Sequence, residues 1–296
     1  MTSSPTVSII GLGAMGLALA GKFVEKGYKT TVWNRSTEKA LKFAAEHENA
    51  HAATTVAQAL EAGSLVIICL LDNKAVRATI DQALPSLAGR IVVNLTNGTP
   101  DEGRETGAIV TAQQGSKYVH GGIMATPSMV GTPASVLLYS GSLEAYTAVE
   151  KDLEILGAGK YLGADSGSAS LHDLALLSGM YGLFSGFTHA VSLVRNEKRS
   201  TTEFLSLLVP WLTAMTGYLH VLAKQIDEGD FASLGSSIEM QVPALNNIVK
   251  TSEAQGVSAD LIRPIQSLLE RAVAVGRGGE EISALVGLNV LPTKEE

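Results

Sequence analysis

Val7-Ser8-Ile9-Ile10-Gly11-Leu12-Gly13-Ala14-Met15-Gly16 is the stretch that decides the fold. Strand-forming residues run straight into a G-x-G-x-x-G string, and the string opens an amphipathic segment over residues 14–27. Strand, tight turn and helix in that order make a dinucleotide-binding turn. Gly11 permits the turn, Gly13 lets the backbone approach a pyrophosphate and Gly16 lets helix and strand pack closely, with Leu12, Ala14 and Met15 between them. The helix N-terminus then offers free N–H groups to the anion. The alternative reading of the string alone is a glycine-rich turn with no ligand.

Outward from this turn, short apolar runs alternate with amphipathic ones, the signature of a parallel sheet wrapped by helices. Strands are expected at Val7–Ile10, Lys29–Trp33, Leu65–Leu70, Ile91–Leu95, Lys117–His120 and Val136–Ser140. Helices are expected at 14–27, 37–47, 74–83, 101–114 and 142–156. From Ser166 the strand pattern stops, and helical periodicity takes over at 167–195, 201–228, 233–255 and 258–276. The expectation is an α/β domain over 1–165 and an all-helical domain over 166–296, with a long helix at 167–195 and the boundary at the composition change near Gly163–Gly167.

Composition agrees with two ordered domains, since the 296 residues are 46% hydrophobic and 17% charged. A net charge of −7 argues against a nucleic-acid partner, whose binding rests on Lys and Arg neutralising phosphates. Cys69, the single cysteine, lies in the apolar run Leu65–Leu71 and reads as a buried core thiol. The six histidines show no zinc-type spacing, so no metal is expected. The polar opening residues read without a leader, giving a cytoplasmic expectation. Leu171–Val194 is apolar, but it carries His172, Asp173 and His189 and has no flanking membrane anchors, so a buried helix is expected and no membrane partner.

The second strand ends at Trp33-Asn34-Arg35-Ser36-Thr37, where an NAD-selective protein places an acidic residue on the ribose 2′-hydroxyl. A guanidinium with amide and hydroxyl donors at that place suits a 2′-phosphate, so NADP(H) is expected, the alternative being Arg35 as a solvated surface charge. Lys39 either adds charge there or is plain helix surface.

The order of elements and several strings resemble the β-hydroxyacid dehydrogenase superfamily, and more closely the NADPH-dependent imine reductases, especially the fungal reductive aminases. Besides the glycine string and Trp33-Asn34-Arg35, the likeness is carried by Asn94-Leu95-Thr96-Asn97-Gly98-Thr99-Pro100, His120-Gly121-Gly122-Ile123-Met124 and the segment His172–Gly182. It implies an N-terminal Rossmann domain, a long interdomain helix, and a helical C-terminal domain exchanged between the subunits of a homodimer. Trp211, Met240 and Gln241 match pocket positions and would face the other subunit's nicotinamide. Met124 and His120 would complete the substrate pocket, and Leu70 and Leu71 the cofactor site.

A hydroxyacid dehydrogenase of this superfamily carries a catalytic lysine early on the long helix, whereas no lysine occurs here between Lys160 and Lys198. Two further departures agree: His120 stands where the superfamily has a substrate-binding serine, and Asn94 where it has an aspartate. What the helix offers is Asp173 and Tyr181, ~12 Å apart along the axis and ~80° around it, able to border one cleft. A carboxylate on an apolar helix needs a partner, and an iminium ion would be one. The alternative for Asp173 is a bond to backbone groups near the helix start. Tyr181 is either a donor to substrate or a core tyrosine, and Asn97 either positions substrate or nicotinamide or is a turn residue before Gly98. Without the resemblance, Trp211 and Met240 read as core or helix interior and Gln241 as helix surface. The expected activity is NADPH-dependent reduction of a preformed imine, or of a ketone or aldehyde plus a small primary amine. The alternatives are a hydroxyacid dehydrogenase or carbonyl reductase, and a non-catalytic NADPH-binding sensor.

Overall fold

The computed structural model describes residues 6–197 and 200–290. Its eight-stranded sheet has the order β3-β2-β1-β4-β5-β6-β7-β8. The strands are β1 (Thr6–Ile10), β2 (Lys29–Trp33), β3 (Ala50–Ala52), β4 (Leu65–Ile68), β5 (Ile91–Asn94), β6 (Lys117–Met124), β7 (Val136–Gly141) and β8 (Ala158–Tyr161). The central runs Val7–Ile10 and Leu65–Ile68 are buried on both faces, as continuous apolar strands covered by helices must be. Ile10 pairs with both Trp33 and Ile68, Ile68 with Asn94, and Asn94 with His120. This register brings the residues that follow β1, β4 and β5 to one edge of the sheet. The chain first runs outward from β1 to β3 and then returns on the other side as β4, which leaves a crevice at the β1–β4 switch.

The covering helices are α1 (Ala14–Glu25), α2 (Thr37–Glu46), α3 (Val56–Ala62), α4 (Asn73–Ile80), α5 (Pro100–Thr111) and α6 (Leu143–Leu153). Three elements were not expected. β3 and β8 are three- and four-residue edge strands without β-branched residues, and α3 is a seven-residue helix capped by Thr55. β6 also runs four residues past His120, through Gly121 and Gly122. The sheet is not wholly parallel either: β7 is antiparallel to β6. Only residues 125–135 connect the two, too few for a crossover to a parallel neighbour.

The chain divides into two compact units, Met1–Ser178 and Gly179–Glu296. The division falls inside helix α7 (Ser168–Val194), whose first turns stay with the first unit. Ala169, Ser170 and Asp173 are buried there, and Ala169 N–H donates to Ser140 Oγ at 2.9 Å. Just before the helix, Asp165 accepts the Gly167 N–H at 3.0 Å and a forked pair from Arg104 at 2.9 and 2.7 Å.

The second unit is helical: the rest of α7, then α8 (Thr201–Glu228), α9 (Ile238–Ala254), α10 (Arg263–Ala274) and a 3₁₀ segment at Ile282–Leu288. α9 and α10 start later than the periodicity suggested. Gly235 at φ +135° and the N-cap Ser237 hold the chain out of helix before 238, and Pro264 fixes the first turn of α10. The unit's core is small, built on Ile238, Leu269, Ala272, Ala284 and Leu285. Leu171–Val194 is not buried within one chain as expected: Leu174, Leu176, Leu183 and Phe184 are exposed. α7 and α8 are both long and apolar enough to cross a membrane by length and composition alone.

Candidate active site

The glycine string forms the turn between β1 and α1. Gly11 sits at φ +105°, and a Cβ there would come 2.2 Å from the Cys69 carbonyl oxygen. A Cβ on Gly16 would come 2.0 Å from the Gly11 carbonyl oxygen, so neither position admits a side chain. Gly13, the N-cap of α1, is exposed and faces open space, which leaves its backbone and the first N–H groups of α1 free for a phosphate. Ala14 is exposed and Met15 half-buried, while Leu12 is fully buried. Across the switch, Leu70 touches the turn and donates its N–H to Thr96 Oγ1 at 3.0 Å, and Leu71 is almost fully exposed. Cys69 is half-buried, and burial pushes its thiol up to about 11, which keeps it in the neutral thiol form.

At the end of β2, Arg35, Ser36 and Thr37 are exposed. Ser36 is the N-cap of α2 but makes no cap hydrogen bond, so its hydroxyl and the first-turn N–H groups of α2 are available to an anion. These groups and the Arg35 guanidinium fit a 2′-phosphate. Asn34 also links the two turns. Its Oδ1 accepts the Leu12 N–H at 3.0 Å and its Nδ2 donates to the Ser36 carbonyl at 3.1 Å, so its amide ties the glycine turn to the β2–α2 turn and keeps one N–H and one lone pair in reserve.

The chemistry-bearing pair lies at the same edge. Asp173, in the second turn of α7, is 4% exposed and accepts Asn97 Nδ2 on its Oδ2 at 2.6 Å. Its Oδ1 has no hydrogen-bond partner among the described residues. Burial raises the Asp173 carboxyl above the ordinary carboxylate range, and the Asn97 amide partly opposes the rise. The helix start is already capped by Ser140 and Asp165, so Asp173 has no backbone role there. Its close seat depends on Gly122 of β6, where a Cβ would come 2.9 Å from the Asp173 Cβ.

His120 does not line a pocket as expected. It is 1% exposed, with Nδ1 bonded to the Tyr118 hydroxyl at 2.8 Å and Nε2 to Ser170 Oγ at 2.7 Å, because the β6 alternation turns it inward under α7. Met124, at the end of β6, is half-buried. In the second unit Tyr181, Trp211 and Met240 are 63%, 61% and 64% exposed, so none of the three is a core residue. Gln241 donates its Nε2 to the Ser236 carbonyl at 2.8 Å. Three residues of the site escaped the sequence reading: Gly122, Ser170 and Asn73, whose Nδ2 donates to the Asn97 carbonyl at 3.3 Å. Only Gly122 left a signal, since paired glycines inside a strand mark a close approach.

Comparison with known proteins joins these parts. Residues 6–164 match the NAD binding domain of 6-phosphogluconate dehydrogenase, and residues 165–289 match the NADPH-dependent reductive aminase-like C-terminal domain. An NADPH-dependent reductive aminase of Aspergillus oryzae is 52% identical over 287 residues, covering 96% of each chain. A reductive aminase from Aspergillus terreus, solved in complex with NADPH4, cyclohexanone and allyl amine, is 53% identical with a TM-score of 0.91, covering 97% of this chain and 99% of that one. An imine reductase from Streptomyces aurantiacus is 28% identical with a TM-score of 0.91, covering 97% and 100%. A turn shaped for a dinucleotide, a guanidinium in place of an acid at the ribose, and a carboxylate in place of a lysine on the long helix thus occur together in a chain that belongs to the NADPH-dependent reductive aminases.

Proposed function

We propose that this chain uses NADPH to reduce C=N bonds, supplied as a preformed imine or assembled from a ketone or aldehyde and a small primary amine, and that Asp173 is the group that meets the cationic nitrogen. The observation that carries this reading is a buried carboxylate with one oxygen held by Asn97 and the other unengaged. Held by the glycine turn and by Arg35, Ser36 and Thr37, NADPH would supply the hydride for C=N reduction. Asp173 accepts a proton from the ammonium form of the incoming amine, which frees the lone pair for attack on the carbonyl carbon. When the adduct loses water, Asp173 returns that proton to the departing hydroxyl, and the carboxylate so regenerated stabilises the positive charge left on the C=N group. A carboxyl raised by burial suits a group that takes up and gives back a proton in one cycle. Asn97 fixes the carboxylate and the rim beside it, and Tyr181 serves as donor to the reacting oxygen or nitrogen. Met124 lines the substrate side.

The partner in this reading is a second copy of the chain. The exposed apolar residues of α7 and α8 need a cover, and Gly182 and Gly186 of α7 face open space at the spacing that lets two helices approach closely. Exchange of the helical domains would bring Trp211, Met240 and Gln241 of one copy over the other's nicotinamide, which accounts for a tryptophan and a methionine left exposed. A cytoplasmic location belongs to the same reading. Sedimentation equilibrium is expected to return twice the chain mass of 30.9 kDa, and a monomer at micromolar concentration would refute the exchange.

The activity is tested by NADPH oxidation with cyclohexanone in the presence and absence of allyl amine. Oxidation that requires the amine and yields N-allylcyclohexylamine is expected. Equal rates without amine would mark a carbonyl reductase, and tight NADPH binding with no turnover on any imine would mark a sensor. Arg35→Ser is expected to raise the NADPH dissociation constant by about 10- to 100-fold and leave that of NADH unchanged, the cost of a lost forked contact to phosphate.

A further inference from the structure

Behind the Asn97–Asp173 pair lies a buried run of polar side chains whose hydrogen bonds have one consistent direction. It starts at a group that can only donate: the Thr96 N–H gives its hydrogen to Asn94 Oδ1 at 3.1 Å, which fixes the orientation of that amide. Asn94 Nδ2 therefore donates to Asn73 Oδ1 at 3.4 Å and to the Tyr118 hydroxyl at 3.2 Å. On one side, Asn73 Nδ2 faces two acceptors, the Asn97 carbonyl at 3.3 Å and Glu102 Oε2 at 3.4 Å. On the other, the Tyr118 hydroxyl accepts from Asn94 and must place its own hydrogen on His120 Nδ1, 2.8 Å away. The His120 hydrogen is then on Nε2 and goes to Ser170 Oγ at 2.7 Å. Asn73, Asn94, Tyr118, His120 and Ser170 are all buried, so water cannot replace a lost partner.

The two ends of the run reach the two members of the functional pair. Asn73 holds the backbone of Asn97, and Ser170 stands one helical turn before Asp173 on the same face of α7. We propose that His120 is a positioning residue for C=N reduction, which through Ser170 sets the first turns of α7 and so keeps the Asp173 carboxylate at hydrogen-bonding distance from the Asn97 amide. The role rests on the function proposed for that pair. His120 acts here as a neutral donor–acceptor bridge, and burial supports this by lowering its pKa to about 4.

The test compares Ser170→Ala, His120→Leu, the double variant and His120→Gln in the full-length enzyme with cyclohexanone and allyl amine. kcat, KM, the NADPH dissociation constant and Tm are read for each. Ser170→Ala and His120→Leu are each expected to lower kcat by about tenfold or more, with NADPH affinity within about twofold, because a small displacement of a catalytic group is costly in rate. The double variant should be no slower than the slower single one, as for two members of one chain of bonds. His120→Gln, whose amide again offers one acceptor and one donor, should recover most of the rate. In the wild type, ¹⁵N shifts should show the Nε2–H tautomer. Ser170→Ala within twofold of wild-type kcat, or a folded His120→Gln as slow as His120→Leu, or the Nδ1–H tautomer, would each overturn the proposal. Asp173→Ala is run alongside: if it keeps full activity the functional reading itself fails, whereas an inactive Asp173→Ala beside a normal Ser170→Ala removes only the positioning role.

Discussion

Asp173→Ala is expected to lower kcat/KM for cyclohexanone plus allyl amine by about 10²- to 10⁴-fold, the usual span for a lost acid–base group, while NADPH binds within about twofold of normal. The cofactor surfaces at the glycine turn and at Arg35–Thr37 do not involve this carboxylate, so the loss falls on the chemical steps. Asp173→Asn separates two effects. The folded-state carboxyl titrates above its unfolded value, so the wild type keeps its full stability below the ordinary carboxylate range near ~3.9 and loses some as pH rises through the raised value. The neutral amide avoids that loss. At pH 8 Asp173→Asn should therefore melt a few degrees higher than wild type, roughly 2–4 °C for each kcal/mol regained, and the gap should close near pH 3. A variant that is both inactive and no more stable at pH 8 would mean that the carboxylate is better solvated than its burial implies.

Gly122→Ala carries the second large effect. The added methyl would stand 2.9 Å from the Asp173 Cβ and 3.0 Å from its Cγ, and neither atom is the far end of a flexible chain. The helix turn must move by several tenths of an ångström to relieve the overlap, which lengthens the 2.6 Å bond to Asn97. Activity should fall by about 10²-fold, comparable to other misplacements of a catalytic group, with the NADPH dissociation constant unaffected. Gly121→Ala does not offer the same test, because its methyl would meet the Leu138 carbonyl oxygen at 2.8 Å and disturb the β6–β7 pairing itself. Steady-state kinetics and cofactor titration on Gly122→Ala decide the point, and wild-type turnover would show that α7 is not seated by this contact.

Much of this arrangement was legible in the sequence because it rests on local patterns. The glycine turn, the basic residue after β2 and the change to helical periodicity at Ser166 are each written in fewer than about ten consecutive residues. β3 and β8 were not legible, since three or four residues without β-branching acquire strand geometry only by pairing with a neighbour already in place. His120 was misjudged for a related reason. Its number and type identify a polar residue near the site, but only the pleat of β6 decides which face it takes. The Asn73 side chain could not have been singled out, because it reaches Asn97 across 24 residues of chain and nothing in its own neighbourhood marks it. The burial expected for Leu171–Val194 failed because hydropathy reports that a helix is apolar and not which of its residues the rest of the chain covers.

Asn34 has a consequence for anyone redesigning this enzyme's coenzyme preference. One side chain fastens the loop proposed to receive the pyrophosphate to the loop proposed to receive the ribose end, so the two halves of the dinucleotide would be measured against a common rivet. Selectivity can be retuned at positions 35 to 37 without disturbing the distance between those halves, whereas a change at 34 would slacken the grip on either coenzyme alike.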